Sequence, residues 1–169
     1  MKVILLMACT VNGIIARENF SEDFLLQANF TDFKELAEKV GCFIVGRKTY
    51  EEVKKWKTNF DTITATKIVI SRKKLKIDDD FICVSSPQKS LEKAAQLGFK
   101  KIVLTGGSKI NSSFMKEHLI DEIILNINPY VLGNGIPLFT NDIFESKLKL
   151  MNVKKMHEGI VQLYYKVVK

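Results

Sequence analysis

Three short stretches of this chain carry the glycines, cations and hydroxyls that hold phosphate. In the first, an apolar run, Cys42–Val45, stops at Gly46, and Arg47, Lys48 and Thr49 follow. Thr49 with Glu52 has the capping-box pattern and predicts a helix start there. Free backbone N–H groups, the positive helix end and side-chain charge would then meet at one point. In the second, Leu104-Thr105 leads into Gly106, Gly107 and Ser108. Glycine lets backbone approach a ligand, although alone this pair reads equally well as a tight turn. In the third, Ser71-Arg72 closes a β-branched run and Lys73-Lys74 follows. The planar fork of Arg72 suits phosphate, while in isolation the stretch reads as a solvated basic loop. Neither G-x-G-x-x-G nor a P-loop is present.

These stretches need strands that end together. Lys2–Cys9, Cys42–Val45, Lys67–Ile70, Phe81–Val84, Lys101–Leu104 and Glu122–Asn128 read as strands. Helical spacing runs from about Phe24 to Val40, with Asn29 or Thr31 as the cap and Gly41 at the end. Further helices are expected over Tyr50–Trp56, from Ser86-Pro87 to Gly98, and over Ile110–Glu117. Lys57–Thr66 reads as a surface loop and Pro129–Gly135 as a turn. Lys147–Lys154 and Ile160–Val168 form a terminal hairpin around Glu158-Gly159. Alternating strands and helices predict an α/β fold: a central, mostly parallel sheet of about eight strands, helices on both faces, and the hairpin adding antiparallel strands. Ligands of such sheets bind at the carboxyl edge, where all three stretches fall.

With 169 residues and 27% charged, the chain suits one soluble domain. The net charge of +7 fits a lysine-coated surface or attraction to phosphorylated molecules. Lys and Arg are spread along the chain, without a zinc finger or an aromatic RNA-binding signature, so nucleic acid is not expected. Cys9, Cys42 and Cys83 each sit in an apolar run and read as buried free thiols of a reducing, cytoplasmic compartment. Two histidines and no C-x-x-C argue against a metal site, and both histidines read as exposed. Val3–Ala8 is too short for a signal peptide, and no other run would span a bilayer.

Ala8–Ala16 (ACTVNGIIA), Gly46–Tyr50, Ile70–Arg72, Leu104–Gly107 and Pro129–Phe139 (PYVLGNGIPLF), in that order, resemble the dihydrofolate reductase superfamily. The likeness is closest to the reductase domain of bacterial riboflavin biosynthesis and its stand-alone relatives. It implies a dihydrofolate-reductase-like three-layer fold and NADPH as cofactor. By this resemblance Gly46, Arg47, Lys48 and Thr49 would hold the pyrophosphate and 2′-phosphate side. Ser71 and Arg72 would meet the adenosine-phosphate end. Gly106, Gly107 and Ser108 would take the pyrophosphate. Ala8 and Ile15 would fix the nicotinamide carboxamide through backbone groups.

The substrate implied is a small heterocycle of the pterin or pyrimidine type. The first choice is 5-amino-6-(5-phosphoribosylamino)uracil, and dihydrofolate is the alternative. A third reading is a non-enzymatic nucleotide- or polyanion-binding module. No acid stands where dihydrofolate reductases carry theirs: the matching position is near Phe30, and Asp32 is the nearest carboxylate. Asp32 is the candidate catalytic group, or equally a helix N-terminal acid favoured by the dipole; Asp23 is a second acid candidate. Asn12 stands where relatives carry an acid. With Phe33 and Asn126 it is placed on the substrate side, although Asn126 also reads as an ordinary half-buried amide. By analogy with relatives, the apolar hairpin would pair two copies into a homodimer.

Overall fold

Alternation along each strand decides which face a residue covers. The computed structural model describes residues 1–56 and 60–169. In it β1 is Lys2–Thr10, β2 Ile14–Ala16, α1 Gln27–Val40, β3 Cys42–Gly46 and α2 Arg47–Val53. Then follow β4 (Thr66–Ile70), β5 (Phe81–Val84), α3 (Pro87–Gln96), β6 (Lys101–Leu104) and α4 (Ser108–Lys116). The chain closes with β7 (Glu122–Asn128), β8 (Ile136–Pro137), β9 (Leu148–Lys155) and β10 (Val161–Val167). Eight strands form one sheet in the order β5-β4-β3-β6-β1-β7-β10-β9. Strands β5 through β7 run parallel, and β10 lies antiparallel to both its neighbours. The expected mostly parallel sheet with an antiparallel terminal hairpin is what forms.

Two apolar layers flank the sheet. Val3 and Leu5 of β1 face α3 and α4, joining Ile44, Ile102, Ala94 and Phe114. Leu6 faces the other way, with Phe33 and Ala37 of α1, Tyr50 of α2, and Phe43 and Val103 of the strands. The ring of Phe33 meets Phe43 edge-on at 5.4 Å and Phe60 at 5.9 Å, which fixes α1 over the parallel half. Burying one such ring stabilises by roughly 1.5–3 kcal/mol. Among the described residues, no helix is long and apolar enough to cross a membrane.

Several local expectations need correction. Helix α1 starts at Gln27, not Phe24, and neither proposed cap serves it: Leu26 holds the cap position without a side-chain bond. Asn29 instead turns to Asn128, at 2.7 Å. Helix α2 starts at Arg47 with Gly46 as its cap, so Thr49 is its third residue and no capping box forms. Helix α4 starts at Ser108 rather than Ile110. Phe60 and Ile63, expected in a surface loop, are buried in the aromatic layer; residues 57–59 of that loop lie outside the described residues. Cys83 is exposed, because β5 is an edge strand with an uncovered side. The β2–β8 pair was not foreseen, since elements of three and two residues carry no readable period. Gly41 does end α1, in the left-handed region at φ 84°. Ser86 does cap α3, accepting from the Lys89 N–H at 3.2 Å.

Candidate active site

Because β5 through β7 are parallel, their carboxyl ends share one edge. There the Gly46 N–H donates to the Gly106 carbonyl at 2.7 Å, and the Thr105 N–H to the Ile44 carbonyl at 3.0 Å. Gly46 pairs in register with Ile70, so Arg47 and Ser71 follow the matched ends of adjacent strands. So the three phosphate-type stretches are neighbours. The fit is close: a Cβ on Gly46 would stand 2.6 Å from Ile110 Cγ1, and one on Gly107 would stand 2.9 Å from Thr49 Oγ1. A side chain at Gly46 would have to displace Ile110, and one at Gly107 the Thr49 hydroxyl. Gly106 adopts φ 86°, a conformation that side chains resist, and the Gly106–Gly107 peptide is cis.

The cations of this edge differ in their engagement. Arg47 pairs with Glu51 one turn on, at 2.8 Å, and Lys48 lies 4.5 Å from the centre of the Phe20 ring. Arg72 is exposed. Ser71 Oγ is occupied by its own turn, donating to the Lys73 carbonyl at 2.8 Å. Ser108 Oγ, at the N-terminus of α4, is buried without a hydrogen-bond partner. A buried hydroxyl without a partner costs about 1–3 kcal/mol. A glycine cradle, an unpartnered hydroxyl, free α4 amides and three nearby cations are together suited to a dinucleotide pyrophosphate. Helix α2 has only seven residues, so its cationic side chains matter more than its end charge.

Beside the cradle, under the α1 and α2 layer, lies a cavity of about 590 Å³. Ala8, Ile15, Phe33, Thr49, Gly107 and Asn126 line it. Gly46, Arg47, Lys48, Ser71, Arg72, Gly106 and Ser108 do not line it. Asn12 lies outside the cavity as well. It ties a turn, accepting from Thr10 Oγ1 at 2.8 Å and donating to the Leu132 carbonyl at 2.6 Å. Asp32 is also outside the lining. Its carboxylate accepts from Asn126 at 2.9 Å and from Gln162 at 3.0 Å. Ala8, Asn126 and Gln162 are register neighbours across β1, β7 and β10, so Asp32 clasps α1 to that row.

Sequence reasoning missed part of the lining. Phe20, Glu22 and Trp56 border the cavity. Glu22 sits in a polar loop with no periodic signal. It is half-buried as a residue, yet the packing around its carboxyl pushes the pKa up to about 8. Its neighbour Asp23, the second acid candidate, is bonded to Arg17 at 2.6 Å, which holds its carboxyl below the usual range.

Sheet order, layers and glycine-lined edge define an α/β domain of the dihydrofolate-reductase-like kind. The chain belongs to the RibD C-terminal domain family, which it matches over residues 1–162. It is 32% identical to the uncharacterized protein YwjB of Bacillus subtilis (strain 168), with 97% of each chain covered. In structure it resembles a putative riboflavin biosynthesis protein from Shewanella sp. PV-4, with TM-score 0.85, 21% identity and both chains covered in full. It also resembles the diaminohydroxyphosphoribosylaminopyrimidine deaminase/5-amino-6-(5-phosphoribosylamino)uracil reductase of Thermotoga maritima, with TM-score 0.76 and 16% identity. That match covers 99% of this chain and 56% of the Thermotoga chain, so the domain spans just over half of that protein. By family this is a reductase-like domain of the riboflavin-biosynthesis type.

Proposed function

We propose that the protein is an NADPH-dependent reductase acting on a pyrimidine-type heterocycle, with 5-amino-6-(5-phosphoribosylamino)uracil as the first substrate to test. The observation that carries this reading is the cradle at the carboxyl edge. Two loops pack so closely that a side chain at Gly46 would displace Ile110 and one at Gly107 the Thr49 hydroxyl, beside the unpartnered Ser108 hydroxyl. Gly46–Thr49 and Gly106–Ser108 would hold the pyrophosphate. Arg47, Lys48 and Arg72, with Ser71, would choose the 2′-phosphate form. Ala8 and Ile15 would present backbone groups to the nicotinamide at the cavity wall. When bound, NADPH supplies a hydride; the chain's part is to hold donor and acceptor carbons face to face. Phe33 and Asn126 would meet the substrate, with Asp32 orienting the Asn126 amide.

Dihydrofolate reduction is the second reading, favoured by the placement of Asp32 on α1 one hydrogen bond from a cavity residue. NADPH fluorescence titration, then NADPH oxidation with each compound in parallel, tests both. Arg47→Ala should weaken NADPH about tenfold and NADH much less; equal losses would remove Arg47 from 2′-phosphate choice. No NADPH binding at micromolar protein, together with salt-steep binding of nucleic acid, would leave the polyanion-binding reading. We extend the proposal to a cytoplasmic homodimer paired through β9, all of whose residues are exposed, including Leu150, Met151 and Val153. Sedimentation of the full chain at micromolar concentration measures this: a single monomer species would reject it.

A further inference from the structure

Reduction by hydride needs a proton as well, and four carboxylates stand at or near the cavity. Three are already engaged. Asp23 is paired with Arg17 on its own loop, and Glu52 of α2 with Lys55 at 2.8 Å. Asp32 of α1 is held by two amides. Glu22 is different: its carboxyl makes no hydrogen bond or ion pair with any described residue, and it lines the cavity. Its backbone is well held. The Leu25 N–H donates to the Glu22 carbonyl at 2.9 Å, the Arg17 N–H donates to the Ser21 carbonyl, and the ring of Phe24 stacks on Tyr130 at 5.7 Å.

We propose that Glu22 is the catalytic acid of this site, giving its proton to the substrate nitrogen or oxygen that gains an electron pair when hydride adds to the carbon beside it. This rests on the reductase reading. The balance is simple. A C–H bond and an N–H or O–H bond form, and one C=N or C=O π bond breaks. The substrate is reduced by two electrons and NADPH is oxidised. Glu22 is left as carboxylate and recovers a proton from solvent. The surroundings suit an acid that stays protonated near neutrality. The start of α1 contributes uncharged Gln27, Asn29 and Phe30 to the wall, and β7 contributes Asn126. The charged groups nearby are Asp23 with Arg17, Glu52 with Lys55, and Lys48 over Phe20. Burial raises the Glu22 pKa to about 8, close to the operating range of a general acid.

The test compares wild type, Glu22→Gln and Glu22→Asp. NADPH affinity comes first, then kcat against pH with the phosphoribosylaminouracil and with dihydrofolate. In parallel, wild type and Glu22→Gln labelled with 13C at the glutamate side-chain carboxyls are titrated by NMR. Glu22→Gln should bind NADPH within about twofold of wild type and lower kcat by about 100-fold. It should also lose the alkaline fall in kcat near pH 8. Glu22→Asp should recover part of the rate. One glutamate resonance should titrate near pH 8 and vanish in Glu22→Gln. Unchanged kcat and pH profile in Glu22→Gln, with NADPH still bound, overturn the role of Glu22 and leave the reductase reading intact. Absence of NADPH binding by wild type overturns both. If neither compound is reduced, the NMR titration decides: a Glu22 resonance titrating below about pH 5.5 rejects the acid role.

Discussion

The proposed phosphate side of the cleft is made of contiguous residues, and the proposed substrate side of scattered ones. Gly46–Thr49 and Gly106–Ser108 are two unbroken stretches joined by a 2.7 Å backbone bond. The cavity beside them takes Glu22 from a loop, Phe33 from α1, Trp56 beyond α2 and Asn126 from β7. The first side is cationic backbone; the second is aromatic, with free acid. A binding surface shared by many ligands can be written as a local motif. One shaped for a single substrate is assembled by packing, and its members carry no common sequence signal.

The sharpest way to break that contrast is through pH. In the folded chain Glu22 keeps its proton to about pH 8; unfolded, it releases it near 4.5. The unfolded state therefore binds fewer protons across that window. Stability should be full below pH 4.5 and fall between there and pH 8, by on the order of 5 kcal/mol. Urea melts of wild type and Glu22→Gln at pH 5 and 9 measure this; in the variant the decline should shrink to that of the other groups.

Next comes Gly46→Val, which forces atoms into space that Ile110 and the Gly106 carbonyl already fill. NADPH affinity should drop by about 100-fold, with a lowered melting temperature. A variant that binds normally would show that the cradle can absorb a side chain there. On the other side, Asn128→Leu would strip partners from Asn29 and the Cys9 carbonyl. Denaturant unfolding should report a loss of about 1–3 kcal/mol. The smallest effect expected is from Lys48→Ala, a loss of NADPH affinity of about fivefold that fades as salt rises. It should also free Phe20, since the ammonium rests on that ring.

Much of the architecture could be read before the structure. Cys42–Val45, Lys67–Ile70 and Lys101–Leu104 are short apolar runs between helical periods, and a buried parallel strand needs little else. Helix starts were less legible. Thr49 and Glu52 form a capping pattern on paper, but Gly46 ends β3 in extended backbone and the helix begins directly after it. The loop around Lys57–Thr66 has no period, yet tertiary packing buries Phe60 and Ile63. Asn12 and Asp32 were placed by position along a family pattern. Their partners, Leu132 and Gln162, lie 120 and 130 residues away, a separation at which sequence offers no signal. Glu22 carries no sequence signal because a lone acid in a polar loop reads as solvent-facing decoration; only the fold packs protein around its carboxyl.

The three thiols have a practical consequence. Cys9 and Cys42 are buried, with pKa pushed up to about 11 and about 12, so they react slowly while the chain is folded. Cys83 lies open on the outermost strand. A maleimide dye should therefore tag one position in the native protein without any mutagenesis. The second and third modifications seen by mass spectrometry would each mark an opening event, and their delays would time the breathing of β1 and β3 separately.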